Sequence, residues 1–384
     1  MLRRARVAVA VVFFVNGAAF AAWASRVPAI RGELGLSDAQ LGLALLGLAV
    51  GAVLGLPAAG VLVARWGSVA VVRASLVIFC GSLALLPWSA GLVWLTLALT
   101  ALGLGNSVLD VSMNTHGVEV ERGYGRQILG GFHALFSFGG LAGALAGSAA
   151  AATGVSPRQH LTVAAFVLVT VGLGATRFML PGQRDMGTVR QGLVRPDRTL
   201  WVLGAVAFCC MLCEGVANDW SAVYVQDGLG GSPAVAAAAF AAFSLTMAVG
   251  RLFADRVAMR FSRPRFLAVA GVLAGGGFGL GLAVPTPLAA VIGFALLGAG
   301  LAGVVPAMFS AAAEGREQAA PAISTVATMG YFGFLAGPPL IGALAQASSL
   351  RAALLVAVVL LVISLPAGAV VLSNESRRAH QRHE

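Results

Sequence analysis

Four ionisable residues lie inside long apolar runs of this sequence, namely Asp110, His133, Glu214 and Asp219. Each run is long enough to cross a lipid bilayer. A charged side chain at the bilayer centre costs about 2.5–3.5 kcal/mol on insertion scales, so residues of this kind commonly mark proton or ion pathways. We therefore predict that these four residues are candidates for reversible protonation.

Asp110 belongs to a polar series, Asn106, Asp110 and Asn114, with a spacing of four. This spacing places the three side chains on one helix face. His133 lies about as far beyond the turn near residue 120 as Asp110 lies before it, so the two residues could share a proton. Two alternatives stay open: Asp110 as a structural acid, and His133 as a partner of a backbone carbonyl.

Glu214 and Asn218 lie one turn apart on one helix face, whereas Asp219 points about 100° away from Asn218. Trp220 follows directly, and Trp23 is its counterpart near the end of the first apolar run. Either tryptophan could anchor its helix at the membrane interface or stack on a solute ring. Both interpretations stay open.

Further polar residues would line a solute cavity. This set comprises Asn16, Trp23, Asn106, Asn114, Asn218, Trp220, Gln226, Thr328 and Tyr331. Such a lining favours a sugar-like solute over an anion, because apart from Arg26 no arginine is expected at mid-depth.

The elements that carry these residues are transmembrane helices. Of the 384 residues, 59% are hydrophobic and 10% are charged, against roughly 25% charged in a soluble domain. We predict an all-α membrane protein with twelve spans, here numbered 1 to 12: 7–27, 37–63, 69–88, 91–114, 127–152, 160–180, 200–226, 232–253, 265–284, 288–311, 321–346 and 351–372. No phosphate-binding loop or zinc-ligand spacing is present, so we expect neither an enzyme nor a cofactor or metal site.

The arginines alternate with the spans. With a cytoplasmic N-terminus, 21 of the 25 fall on the cytoplasmic side, and the exceptions are Arg26, Arg31, Arg158 and Arg351. This asymmetry predicts that both termini are cytoplasmic. Because the basic residues are dispersed between spans rather than gathered in one patch, we do not expect nucleic acid as a partner.

The two halves of the chain resemble each other. The segment 141–146 (LAGALA) matches 340–345 (LIGALA), and 49–51 (AVG) matches 248–250, both at an offset of 199. We therefore predict six-helix bundles at 1–180 and 200–384, joined by a cytoplasmic linker at 181–199. Repeated halves are common in transporters.

Several motifs resemble the major facilitator superfamily. The segment 60–67 (GVLVARWG) resembles its signature between spans 2 and 3, with Ala64 in place of the usual acid, and 250–256 (GRLFADR) is the second-half counterpart. The segments WASRVP, LDVSMN, FHALF, EGVANDW and GFLAGPP resemble a bacterial YbjJ-like branch near the fucose-permease-type proton symporters. The resemblance implies twelve helices, a bacterial inner-membrane location, a proton-linked solute and gating near Arg65, Gly67, Arg251, Asp255 and Arg256. Gly337 and Pro338 are further gating candidates, because a glycine-proline pair frees backbone carbonyls and bends a helix, although Pro338-Pro339 could equally form a passive kink.

We therefore expect a secondary transporter that moves a small polar solute by alternating access with a proton as second partner, and that works as a monomer. The missing acid at Ala64 predicts an asymmetric cytoplasmic latch at Asp255. Two other functions stay open: a proton-driven efflux antiporter, and a transporter-like sensor without flux.

Overall fold

The structure is a computed structural model that describes residues 1–125, 128–181, 195–314 and 319–381. Within these ranges the side chains of residues 130, 254–259, 319–321, 324 and 374–381 are not described. The regular secondary structure of the described residues is entirely helical and contains no strand. Twelve of its helical stretches are long and apolar enough to cross a membrane, which confirms the predicted fold class.

The spans follow the predicted order. Spans 1 to 6 are Leu2–Ala24, Asp38–Trp66, Ser68–Leu85 (extended by a 3-10 turn at Leu86–Trp88), Leu92–Tyr124, Leu129–Ala152 and Pro157–Thr176. Spans 7 to 9 are Arg198–Val223 (extended by a π-turn at Tyr224–Gly228), Pro233–Arg260, and Arg263–Gly271 (continued by a π-turn at Val272–Gly277 and by Phe278–Ala283). Spans 10 to 12 are Pro287–Leu301 (continued by Val304–Ala313), Ala319–Ala347 and Leu350–Gln381. A short helix, Val27–Leu34, follows span 1.

Local sequence signals explain where several spans begin. Ser37 and Ser156 each form a capping box with the glutamine three residues on, which satisfies backbone N–H groups that the helix leaves free. Between spans 2 and 3 the chain turns through Gly67 alone, at φ 81°. A side chain is strained at such a φ, so the turn favours glycine.

By its internal contacts the chain divides into two compact units. The first comprises Met1–Val189 with Gly231–Ala241, and the second comprises Arg190–Gly230 with Ala242–Glu384. The beginning of span 8 therefore groups with the first unit. Most of the predicted linker, residues 182–194, lies outside the described residues.

Glycine allows close helix packing within each unit. In the first unit, a Cβ on Gly17 of span 1 would overlap the carbonyl oxygen of Phe136 in span 5. In the second unit, a Cβ on Gly333 of span 11 would overlap the carbonyl oxygen of Phe208 in span 7. Small residues permit this approach of backbones in membrane helices. The first and fifth helices of each unit thus meet in the same way.

A second correspondence between the units involves two arginines, each the second residue of its helix. Arg158 of span 6 donates to the carbonyl oxygen of Pro87 at the end of span 3 (3.3 Å). Arg351 of span 12 donates to the carbonyl oxygens of Leu282 and Ala283 at the end of span 9 (2.8 Å each). A cation is favourable at a helix C-terminus. Two of the four exceptions to the arginine asymmetry therefore have a structural role.

Candidate functional site

An ion pair in the second unit joins two of the residues that the sequence singled out. The Nη2 of Arg251 in span 8 donates to Glu214 of span 7, at 3.2 Å from Oε1 and 3.5 Å from Oε2. At 1.5 Å per residue, Glu214 lies about 24 Å from Arg198 and about 21 Å from Gly228, the two ends of span 7. The pair therefore lies near mid-depth.

This contact bears on two sequence-based expectations. Arg251 was assigned to the cytoplasmic end of span 8, and no arginine except Arg26 was expected at mid-depth. The helix of span 8 continues to Arg260, so Arg251 lies inside it and its side chain reaches Glu214. The expectation of a neutral solute depended on the absence of an arginine at mid-depth. The contact of Arg251 with Glu214 removes the reason for this expectation.

Water, rather than lipid, is the environment that suits this pair. The side chain of Arg251 is 40% exposed and that of Glu214 is 22% exposed. Charged residues at this depth face a bundle interior or a water-filled cavity, because lipid tails cannot solvate them. The exposed part of the pair therefore marks a polar surface on the second unit.

Packing on either side of the pair fixes its position. A Cβ on Gly250 would lie 2.5 Å from the Cβ of Ala302, so span 8 presses closely against span 10 next to Arg251. A Cβ on Gly215 would lie 3.1 Å from the Phe334 ring in span 11. Gly250 precedes Arg251 and Gly215 follows Glu214, so close packing of the neighbouring spans positions the backbone from which each charged side chain extends.

The first unit contains the polar stripe of span 4. Asn114 donates through Nδ2 to the backbone oxygen of Asp110 (2.8 Å) and to its Oδ1 (3.1 Å). The Oδ1 of Asn106 is buried and has no hydrogen-bond partner among the described residues. In span 1, Asn16 is buried and its Nδ2 lies 3.7 Å from the sulfur of Met113.

Asp110 and His133 each contact another residue of the described chain. The hydrogen-bond partner of Asp110 there is Asn114. His133 is exposed near the beginning of span 5 and packs edge-on against Phe13, with ring centroids 5.2 Å apart.

The two tryptophans are buried rather than exposed at a membrane interface. Trp23 is 1% and Trp220 0% exposed, and neither indole N–H has a partner among the described residues. Asp219 is also buried. Of the remaining cavity candidates, Asn218 and Gln226 are half-buried, while Thr328 and Tyr331 are exposed.

The gating candidates are only partly visible. Arg65 is exposed at the end of span 2, and the helix of span 11 continues through Gly337 and Pro338. The side chains of Asp255 and Arg256 lie outside the described residues, so the latch stays a prediction.

A polar cluster surrounds His116 in span 4 and was not among the residues expected from the sequence. Its Nδ1 lies 2.9 Å from Ser68 Oγ and 3.3 Å from Glu119 Oε2, and its Nε2 accepts the backbone N–H of Leu180 (3.3 Å). A nucleophile triad needs the two imidazole nitrogens bound to serine and carboxylate separately, so this is not one. His116 was overlooked because it lies in the polar end of the span.

Arg26 is a buried cation of the first unit. It donates to the carbonyl oxygen of Val155 (2.7 Å) and to Nδ1 of His160 (3.1 Å), and it is 4% exposed. Burial lowers the pKa of its guanidinium, and the carboxylate of Glu33 opposes this shift. These contacts tie the connection after span 1 to the beginning of span 6.

Comparisons with known proteins agree with this architecture. The Major Facilitator Superfamily model matches residues 203–384. The chain is 36% identical over 371 residues to an uncharacterized MFS-type transporter of Yersinia pestis, covering 95% of each chain. It is also 32% identical over 355 residues to membrane protein MosC of Rhizobium meliloti, covering 91% of this chain and 85% of the relative.

Two solved structures share the fold. A single-residue mutant of the nucleoside transporter NupG superposes with a TM-score of 0.81 at 12% identity, covering 94% of this chain and 98% of the mutant chain. A bacterial homolog of the human lysosomal transporter Spinster, in an inward-facing unoccupied conformation, gives 0.77 at 17% identity and covers 97% of both chains. At these identities the likeness concerns the fold alone. With its twelve spans and its whole-length relatives, this chain belongs to the major facilitator superfamily of membrane transporters.

Proposed function

We propose that this transporter is a proton-coupled carrier that moves a small polar solute across the bacterial cytoplasmic membrane by alternating access. The observation that carries the proposal is the ion pair of Glu214 and Arg251 near mid-depth of the second unit, where the carboxylate is 22% exposed. A carboxylate in such a position can exchange its proton with water and also interact with a cation next to it.

Protonation of Glu214 would end its attraction to Arg251. Protonation changes the site from an ion pair without net charge to a single unpaired guanidinium. A conformation that shields this surface from water is favoured by the state in which no charge is left uncompensated. Asp110, held by Asn114 in the first unit, is the second candidate for this role.

We further propose that both termini are cytoplasmic, that the monomer is the functional form, and that the chain belongs to the YbjJ-like branch. The asymmetry of the arginines supports the orientation, and the motifs of spans 1, 4, 5, 7 and 11 support the branch. Labelling of single cysteines placed at residue 2 and at residue 380, with a reagent that does not cross membranes, tests the orientation: both sites should react only after the cells are opened.

Flux in proteoliposomes tests the proposed function. A panel of labelled sugars, nucleosides and carboxylates is offered under an imposed pH gradient, with and without a protonophore. We expect accumulation of at least one solute that the protonophore abolishes. Solute binding without any flux would favour a sensor, and accumulation unaffected by the protonophore would reject proton coupling.

A further inference from the structure

Only one nitrogen of the Arg251 guanidinium has a hydrogen-bond acceptor among the described residues. Its Nη2 contacts both oxygens of Glu214, and the described residues provide no other hydrogen-bond acceptor for it. A guanidinium carries five N–H donors in a planar fork. With a side chain 40% exposed, Arg251 therefore keeps donors available for a further acceptor that reaches this surface from water.

The partner that best matches such a fork is a carboxylate. Arginine binds a planar carboxylate through two parallel N–H···O bonds, which are stronger and more specific than a single bond to a neutral hydroxyl. Glu214 itself shows that a carboxylate fits here, although its oxygens lie at the long distances of 3.2 and 3.5 Å. A solute that is free to orient can approach the guanidinium more closely than a side chain fixed on span 7.

We infer that the solute of this carrier bears a carboxylate, which binds Arg251 and displaces Glu214 as Glu214 takes up a proton. This inference rests on the proposed function and names its substrate class. The proton comes from the water that brings the solute, and no covalent bond changes. Before binding, the site contains one guanidinium and one carboxylate, and afterwards it contains the guanidinium, the solute carboxylate and a neutral Glu214.

Charge balance explains why the solute carboxylate and the proton would be transported together. The site has no net charge in either state, so no uncompensated charge is left at mid-depth, where it would be costly. An anion without a proton would leave two carboxylates beside one guanidinium. A neutral solute would leave the ion pair intact and would give no reason for proton uptake. A single guanidinium also matches a carboxylate better than a phosphate monoester, which carries up to two negative charges at neutral pH.

Formate, the smallest carboxylate, provides a probe that does not require the natural solute. Purified protein in detergent is titrated with formate in weakly buffered solution, and both binding and proton uptake are measured. We expect uptake of about one proton for each formate bound. Arg251→Gln should weaken binding at least tenfold, whereas Glu214→Gln should bind formate without proton uptake.

Matched variants distinguish a specific loss of formate binding from misfolding of the protein. Arg263→Gln removes an arginine of similar exposure (39%) that is ion-paired with Glu314 in the same unit, and it should leave formate binding unchanged. The double variant Glu214→Gln, Arg251→Gln has no unpaired charge and should remain folded but fail to bind formate. If the wild type does not bind formate, or if Arg251→Gln binds it equally well, the inference is wrong.

The inference and the proposed function can fail separately. Protonophore-sensitive accumulation of neutral solutes, with no effect of formate, would leave the proposed function standing and overturn the carboxylate inference. Formate binding that depends on Arg251 and takes up a proton, in a protein that moves no solute, would support the inference about the site and reject transport.

Discussion

Arg251 of span 8 and Glu214 of span 7 form an ion pair near mid-depth, with Nη2 3.2 Å from Oε1. Along the chain the two residues are 37 positions apart. The pair joins a residue that the sequence analysis assigned to proton coupling with one that it assigned to gating. A single contact thus offers a way for protonation and movement of span 8 to influence each other.

Replacement of Glu214 should separate proton coupling from solute movement. Glu214→Gln imitates the protonated side chain permanently, so we expect accumulation driven by a pH gradient to fall at least tenfold while solute exchange at equal pH persists. Glu33→Gln, an exposed carboxylate after span 1, is the control and should transport normally. Normal accumulation by Glu214→Gln would direct attention to Asp110 instead.

The ion pair should also contribute to stability in a way that a double variant reveals. Arg251→Gln leaves the carboxylate of Glu214 without its partner, and we expect a loss of about 1–2 kcal/mol, less than for a fully buried pair because both groups are partly exposed. The added change Glu214→Gln should restore most of it. Thermal unfolding in detergent measures both variants, and additive losses would show that the pair is not coupled.

Packing of spans 1 and 5 predicts a strong effect at Gly17. A Cβ there would overlap the carbonyl oxygen of Phe136, so Gly17→Ala should force the two helices apart and lower the unfolding temperature by several degrees. Gly81→Ala is the matched control in span 3, where a Cβ meets nothing within 4 Å. Since alanine favours helix over glycine by about 1 kcal/mol, this control should be neutral or stabilising.

The hydrogen bond from the backbone N–H of Leu180 to His116 should hold the segment that follows span 6. His116→Gln can keep an acceptor near the position of Nε2, whereas His116→Asn reproduces only the Nδ1 side and leaves the N–H of Leu180 without its partner. Hydrogen exchange at Leu180, followed by mass spectrometry, should therefore be faster in the asparagine variant than in the glutamine variant. Equal exchange rates would show that this hydrogen bond does not hold the segment.

The twelve spans, their order and the motifs of the superfamily were predictable from the sequence alone. Apolar length and motif spacing are local properties of the chain, and the bilayer requires nearly the same length of every span. The close approach of Asp110 and Asn114 was predictable for the same reason, because four residues make about one helical turn.

Contacts between helices were decided by the tertiary structure. Asp255 and Arg256 follow Phe253, so the sequence indicated that span 8 ends there and placed Arg251 near a cytoplasmic loop. The helix instead continues to Arg260, and the long side chain of Arg251 reaches Glu214. Which residues meet depends on how each helix is rotated and how closely its glycines let it approach a neighbour. For that reason the sequence predicted the candidate residues, and only packing determined that Glu214 pairs with Arg251.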